Sequence, residues 1–415
     1  MEEWNDKVNR KFRHSTLPLF RIFSCMKILS IVVPLFLSAP IFIGCSENIS
    51  SVGSKFFEQR FAVTDTSLFA IGDSTFHSNI ANGTGYYDLV GAAKSVEAKT
   101  FLNFTGLYEG DGDTLGTVQL AVCELQFHVG YLWNMSGTAQ QFEAHEILSP
   151  WTSAVPVDSS DDINVNPTAC GSVNRVVVDT TVIIIPLDTN VVRKWITALT
   201  DSTAPRFYGW SIMAPSGASS TGIFGFPSFD LGTNSPKLAV RYTKNGVEDS
   251  VIFTYGSDAF LAKNFSPISS SLIEVQGGVG RRSKIMFNLG ALVNKPIINN
   301  ASLVLTLNSS LSSHGTSTPD SVLVRLISNA QYPDTINSSY FYYGQRKDTA
   351  QTANPVYSIP LSSLTQAWVN NIEANYGILL EAANENSSVD RYVFYSSADP
   401  DSTKRPVLRV TYTKR

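Results

Sequence analysis

The chain of 415 residues is poor in the residue types that most often carry catalysis, metal binding or nucleic-acid binding. Its five histidines are scattered and have no companion at zinc-ligand spacing. Only 16% of its residues are charged and its net charge is −4, whereas nucleic-acid-binding domains carry basic stripes. It contains no nucleophile elbow, Walker loop or dinucleotide-binding glycine motif. These absences favour a protein that is not an enzyme and does not bind nucleic acid.

Cysteine is also scarce, with four residues in the chain. Cys25 and Cys45 belong to the N-terminal region, which leaves Cys123 and Cys170. Cys123 alternates with apolar neighbours and is predicted to point inward from a strand, whereas Cys170 is predicted to lie in a polar loop. An exported pair could form a disulfide. Two separate thiols are the alternative, and the sequence leaves both open.

The longest apolar run lies near the N-terminus, from residue 28 to residue 43. It follows Met26-Lys27 and ends at Gly44 and Cys45, a pattern typical of a secretory signal. The segment before Cys45 resembles a bacterial lipobox, which implies cleavage before this cysteine and its lipidation. A transmembrane helix is the alternative, but the run is shorter than the ~20 residues of a span and contains two prolines.

The N-terminal pattern predicts a leader over residues 1–44 and a lipidated tether over residues 45–55, with either Met1 or Met26 as the start. The expected location is the bacterial cell envelope, at the outer membrane or cell surface, with the membrane reached through the lipid anchor. A eukaryotic glycoprotein is the competing interpretation, since nine N-x-S/T triplets occur. Such triplets also arise by chance in a chain rich in Asn, Ser and Thr, and we favour the bacterial interpretation.

A long internal repeat defines the architecture. Residues 236–244 (PKLAVRYTK) align without a gap with residues 406–414 (PVLRVTYTK), 170 residues later. Leu, Val and Tyr recur at every second position in both copies, which is the period of a half-buried strand. A repeat of this length exceeds solenoid units of about 20–50 residues. It therefore predicts two similar domains, over residues 56–246 and 247–415.

Short apolar runs separated by Gly, Pro, Asn and Ser continue from about residue 56 to the end. This spacing predicts an all-β chain of two tandem antiparallel β-sandwich domains. Each copy also has one apolar stripe at helical spacing, which contains Trp195 and runs from Val191 to Leu199 in the first copy and comprises Leu364 and Trp368 in the second. The first helix is expected to be capped by Asp188 or Thr189, and the second by one of two serines. Those serines are Ser362 and Ser363.

The second half resembles the DNRLRE-type domain of bacterial secreted and surface proteins. The matching segments are residues 284–289 (KIMFNL), 300–307 (NASLVLTL), 364–368 (LTQAW), 375–380 (NYGILL) and 405–412 (RPVLRVTY). The first half shows the same pattern more loosely. The resemblance implies jelly-roll sandwiches similar to carbohydrate-binding modules, some of which bind acidic polysaccharide. One departure is Met286, where the family has an arginine.

Two clusters are candidate ligand-binding sites. Aromatic rings with nearby polar groups can recognise sugars. One such cluster is the segment 340–343 (YFYY) with Tyr340, Tyr342 and Tyr343, followed by Gln345, Arg346 and Lys347. A basic cluster comprises Arg281 and Arg282. The structural alternatives are an ordinary strand, in which alternation buries half of the rings, and a solvated basic turn.

No cofactor is expected, although jelly-roll modules can carry a structural Ca²⁺. Asp111 and Asp113 resemble a fragment of a calcium loop but lack the later bidentate glutamate. The sequence therefore predicts a non-enzymatic envelope lipoprotein that acts as a surface-binding module, with polysaccharide as the expected partner. The alternatives are a structural or adhesion protein that contacts other envelope proteins and, third, a polysaccharide-degrading enzyme.

Overall fold

Strands dominate the computed structural model, which describes residues 62–106, 115–153, 163–215, 222–316, 320–347 and 354–414. In chain order they are β1 (Val63–His77), β2 (Tyr87–Ala93), β3 (Val96–Phe104), β4 (Gln119–His128), β5 (Tyr131–Trp133), β6 (Ala139–Ile147), β7 (Val165–Val176), β8 (Val182–Leu187), β9 (Trp210–Met213), β10 (Gly222–Pro227), β11 (Lys237–Lys244), β12 (Val247–Phe253), β13 (Gly256–Asn264), β14 (Leu272–Gln276), β15 (Arg281–Phe287), β16 (Ile297–Thr306), β17 (Ser321–Ile327), β18 (Ile336–Lys347), β19 (Val356–Pro360), β20 (Ile378–Ala382), β21 (Arg391–Tyr395) and β22 (Val407–Thr413). The prediction of a mainly β chain is confirmed.

Alternating side chains build the two cores. In β4, Cys123, Leu125 and Phe127 are buried while the residues between them are partly exposed. In β16, Ala301 and Leu303 follow the same rule. Period-two burial of this kind places one face of each sheet against a core. The long repeat in the sequence therefore corresponds to a repeated pattern of strands.

The first sheet comprises β2 to β13. Its strand order is β12-β11-β4-β8-β7-β6-β9-β3-β2-β10-β5, and β13 pairs with β3. Because β12 and β13 are separated by only two residues, this continuous stretch of chain contacts both β11 and β3. It closes a circuit around the core that contains Trp195 and Trp210.

The second sheet comprises β1 and β14 to β22. Its order is β1-β22-β16-β19-β18-β17-β20-β15-β14-β21, and β1 also pairs with β15. Strand β1 is 15 residues long, so its first half can pair with β22 and its second half with β15. These contacts close a ring of eight strands around the core that contains Trp368.

The closing strands differ in their origin. In the first sheet the closing segment, β12–β13, follows β11 directly in sequence. In the second sheet the corresponding place beside β22 is taken by β1, which precedes the other described strands in sequence. Strands thus cross the predicted boundary at residues 246 and 247 in both directions. Residues Phe61–Arg415 form one compact unit.

Each sheet is accompanied by one helix of the predicted type. Helix α1 (Thr189–Thr200) begins after Asp188, whose side chain accepts a hydrogen bond from the backbone N–H of Asn190, as predicted for a cap. Helix α2 (Ser362–Val369) begins after Leu361 and has no side-chain cap, so the prediction of a serine cap is wrong. Ser362 Oγ instead accepts a hydrogen bond from the backbone N–H of Ala301 in β16.

None of the helices among the described residues has the length and hydropathy needed to cross a membrane.

Candidate functional site

The outward face of β15, β20, β17 and β18 carries a polar groove that we call the outer groove. It has a volume of about 390 Å³, and its charged lining residues are Arg282, Arg325, Glu381 and Glu385. Strand register places Glu381 opposite Leu323, and Leu323 opposite Tyr343. Alternation along each strand therefore brings groups from four neighbouring strands to one surface.

Ion pairs fix the charged side chains of the groove. Arg282 donates from Nε to Glu385 Oε1 over 2.9 Å and from Nη2 to Glu385 Oε2 over 2.6 Å. It also lies 3.5 Å from Glu381 Oε2 and 3.5 Å from Asp334 Oδ1. Arg325 donates to Glu381 Oε1. A bidentate arginine–carboxylate pair is a strong and geometrically specific contact, so these side chains are held in place before any ligand arrives.

The two arginines of the groove are matched by its two glutamates, and one further carboxylate, Asp334, lies beside them. Two arginines face Glu381, Glu385 and the nearby Asp334, which gives a formal charge of −1 when all five are ionised. Burial raises the pKa of Glu385, and the hydrogen bond from Arg282 partly offsets that effect. Burial by itself would lower the pKa of Arg282, but the hydrogen bond and charge of Glu385 outweigh it and raise the pKa. The arginine therefore stays charged.

Two exposed aromatic rings lie beside the groove on β18. Phe341 is 55% exposed and Tyr343 is 52% exposed, and their ring centroids are 6.4 Å apart in an edge-to-face arrangement. The register pairs Phe341 with Arg325, which lines the groove. Exposed ring faces can stack on a sugar ring, and the planar charged groups beside them can hydrogen-bond its hydroxyls.

The predicted aromatic cluster divides between the two faces of β18. Tyr340 and Tyr342 are half-buried and pack against the core, and Tyr342 Oη lies 2.6 Å from Ser363 Oγ. Tyr343 points outward beside the groove. Arg346 and Lys347, at the end of the strand, are exposed. Arg346 Nη1 lies 3.6 Å from Asp320 Oδ2.

The predicted basic cluster divides in the same way. Arg282 lines the groove, whereas Arg281 is fully buried on the opposite face of β15. Arg281 forms an ion pair with Glu274 and donates to the carbonyl of Ser266. Arg391 completes this network, with its Nε 2.9 Å from Glu274 Oε1. Of the two arginines, the groove therefore contains only Arg282.

Cys123 and Cys170 are both free thiols. Cys170 lies in strand β7, so the prediction that it falls in a loop is wrong. Strand register places Cys123 in β4 and Gly171 in β7 on opposite sides of Leu187 in β8. Two strand spacings amount to about 10 Å, beyond the ~7 Å that a disulfide can bridge. Burial raises the pKa of Cys123 to about 11 and that of Cys170 to about 12, so both thiols stay protonated at neutral pH.

No group of three or more His, Cys, Asp or Glu side chains within the described ranges is arranged to hold a metal ion. Asp111 and Asp113, the calcium-loop fragment, lie outside the described residues, as does Cys45.

Sequence patterns alone did not identify all groups around the groove. Phe341 belongs to the predicted aromatic segment, but the prediction did not separate it and Tyr343, which share the outward face of β18, from the other two rings. Glu381 and Glu385 carry no local signal, because β20 and the turn after it meet β15 only through long-range pairing.

No family model matches this chain, and the curated proteins include none with significant similarity to it.

Proposed function

We propose that this protein is a non-enzymatic surface-binding module that holds a neutral polysaccharide along the outer groove. The observation that carries the proposal is the pair of half-exposed rings, Phe341 and Tyr343, beside a groove of fixed arginine and glutamate side chains. The rings supply stacking faces, and the charged groups supply donors and acceptors for hydroxyls. Because the side chains are held by ion pairs, binding need not order them, which lowers the entropic cost of association.

The charges of the groove favour a neutral ligand over an acidic one. Arg282 is engaged by two glutamates and lies near Asp334, and Arg325 is engaged by Glu381. An acidic polysaccharide would have to compete with carboxylates that already satisfy these arginines, next to a net negative charge. A neutral hydroxyl can share the same donors without that repulsion.

The cellular setting in this proposal comes from the N-terminal pattern and the family resemblance. A lipid on Cys45 would attach the chain to the bacterial envelope, since each buried acyl CH₂ contributes roughly 0.8 kcal/mol and a second chain makes the attachment stable. The finer fold assignment, two DNRLRE-like jelly-roll modules, belongs to the same proposal. The mainly β composition and the shared strand positions of the two sheets support it.

Affinity electrophoresis of the purified full chain tests the proposal. Gels would contain β-glucan, xyloglucan or mannan as neutral polymers, and alginate or polygalacturonate as acidic ones. We expect retardation by at least one neutral polymer, and a roughly tenfold loss of affinity in Tyr343→Ala, since an aromatic contact is worth about 1.5 kcal/mol.

Tyr255→Ala is the matched control. Tyr255 is 67% exposed and lies between β12 and β13 of the first sheet, so its removal should leave binding unchanged. Equal losses in both variants, or no retardation by any neutral polymer, would contradict the proposal.

A structural or adhesion role is the second candidate, and an exposed apolar cluster on the second sheet favours it. Phe69 and Ile71 of β1 are 49% and 63% exposed, and Met286 of the neighbouring β15 is 36% exposed. Exposed apolar clusters of this kind can bind protein. Crosslinking in cells that is lost in Ile71→Ser, without any effect on glycan retardation, would support this role.

A further inference from the structure

Two adjoining cavities lie on the first sheet, beside the C-terminal half of α1. Their volumes are about 410 Å³ and about 310 Å³, and they adjoin because Arg206 and Phe207 line both. We call this region the basic cleft, and define it by Arg193, Lys194, Arg206, Phe207 and Trp151. Each cavity falls in the size range of small-molecule sites, about 300–1,000 Å³.

The walls of the basic cleft are apolar and firmly held. Trp151 Nε1 donates to the carbonyl of Tyr208 over 2.7 Å, and the Trp151 ring packs 5.9 Å from that of Phe101. The Phe207 ring packs 4.7 Å from the buried Trp210. Leu199 of α1 lines the same cavity and is 44% exposed. Leu199 therefore leaves apolar surface available to a ligand beside these firmly held rings.

The charged groups around the cleft are mostly cationic. Arg193 donates to the carbonyls of Leu115 and Val118, and Lys194 Nζ lies 2.9 Å from Glu146 Oε2. Arg206 is exposed and forms no ion pair with any described residue. Three cations therefore face one carboxylate, which gives a formal charge of +2. This is opposite in sign to the outer groove.

We propose that the basic cleft binds a small organic carboxylate with an apolar body. The apolar body would lie against Phe207 and Trp151, and the carboxylate would pair with the Arg206 guanidinium, which presents several donors in one plane. A ligand without an apolar body could contact only an exposed cation, and a ligand without a carboxylate would leave the positive charge of the cleft uncompensated. The inference does not rest on the proposed polysaccharide binding, because the cleft lies on the other sheet.

Calorimetric titration of the full chain with three probes tests the proposal. The probes are 3-phenylpropionate, its neutral analogue 3-phenylpropanol, and propionate, which keeps the charge but has almost no apolar body. We expect 3-phenylpropionate to bind at least tenfold more tightly than either of the others. Its affinity should also fall with added salt, because the charges lie near solvent.

Two substitutions locate the site. Arg206→Gln keeps a polar, hydrogen-bonding side chain but removes its charge, so it should weaken 3-phenylpropionate roughly tenfold and leave 3-phenylpropanol unchanged. Phe207→Ala should weaken both. Arg175→Gln, an exposed arginine of β7 that does not line the cleft, is the matched control and should have no effect.

Equal binding of the three probes, or an equal loss in Arg206→Gln and Arg175→Gln, would overturn the proposal. Tighter binding of a hexauronate than of 3-phenylpropionate would also overturn it, because it would make the site one for an acidic sugar. Since Arg206→Gln leaves the outer groove intact, retardation by neutral polysaccharide reports separately on the proposed function.

Discussion

The two sheets share a framework and differ in where they place charge. Each contains one copy of the repeated strand, β11 or β22, and a helix with an inward tryptophan. The first sheet has a cluster with a formal charge of +2 in the basic cleft, and the second has one of −1 in the outer groove together with the neighbouring Asp334. The two sheets therefore share a scaffold, while the groups that could bind ligands occupy non-equivalent positions.

Buried charge shows the same contrast. The second sheet buries Glu274 of β14 between Arg281 and Arg391. The first sheet buries two carboxyl groups together, Asp88 of β2 and Asp258 of β13. A buried carboxylate with cationic partners can stay ionised, whereas two neighbouring carboxyl groups hold protons. The two sheets should therefore respond differently to substitution and to pH.

The largest expected effect concerns the closing strands. Deleting residues 62–77 removes β1 and leaves β22 and β15 without their shared partner. We expect a loss greater than the ~5 kcal/mol that marks the most severe single substitutions. Hydrogen exchange should show β22 and β15 losing protection, while β11 and β3, which keep their own closing segment, retain it. Retained protection in β22 would contradict the role of β1.

The second effect concerns the paired glutamate. Glu274→Ala leaves Arg281 buried without its carboxylate, and breaking a buried pair in this way costs about 3–5 kcal/mol. Urea unfolding would measure the loss. Glu124→Ala is the matched control in the first sheet, because its partner Arg241 is largely exposed, and a surface pair contributes at most about 1 kcal/mol. Similar losses in the two variants would show that burial of the pair is unimportant.

The third effect concerns the two aspartates. Burial raises the pKa of Asp258 to about 6, and burial together with the nearby charge of Asp258 holds the pKa of Asp88 well above its usual range. From about pH 4 to pH 6 the folded state therefore binds more protons than the unfolded chain, so the free energy of unfolding falls as pH rises. For Asp258 the expected fall is about 3 kcal/mol.

Asp258→Asn should remove the part of the fall that Asp258 contributes and leave the part that comes from burial of Asp88, and urea unfolding at pH 4, 5, 6 and 7 would measure both. The asparagine oxygen can still accept the hydrogen bond that Asp258 receives from the backbone N–H of Phe229. Asp179→Asn, in an exposed turn of the same sheet, serves as the control and should leave the profile unchanged. An unaltered fall in Asp258→Asn would mean that this carboxyl group is ionised at little cost.

Patterns local in sequence predicted the framework well. The Asp188 cap of α1 was expected from its chemistry, and strand alternation accounts for the separation of the half-buried Tyr340 and Tyr342 from Tyr343, which the prediction had grouped as one cluster. The same alternation separates Arg281 from Arg282, yet their adjacency in sequence suggested a single basic cluster.

Long-range features could not be predicted in this way. The closure of the second sheet by β1 joins residues more than 300 positions apart, and no local pattern encodes that pairing. The ion pairs between Arg282 and Glu385 and between Arg391 and Glu274 depend on which strands become neighbours. The sequence therefore indicated where polar and aromatic groups lie along each strand, but not which of them meet.

The smallest expected effect concerns the equivalent tryptophans. Trp195 Nε1 donates to the carbonyl of Phe104 over 3.1 Å, whereas Trp368 Nε1 has no acceptor among the described residues. Replacing each with phenylalanine removes a similar ring area, but only Trp195→Phe also leaves a carbonyl without its donor. A lost hydrogen bond of this kind costs about 1 kcal/mol, so Trp195→Phe should be the more destabilising by that amount in urea unfolding. Equal losses would mean that both tryptophans contribute only through packing. The contrast between the two sheets would then not extend to the helices and strands that they share.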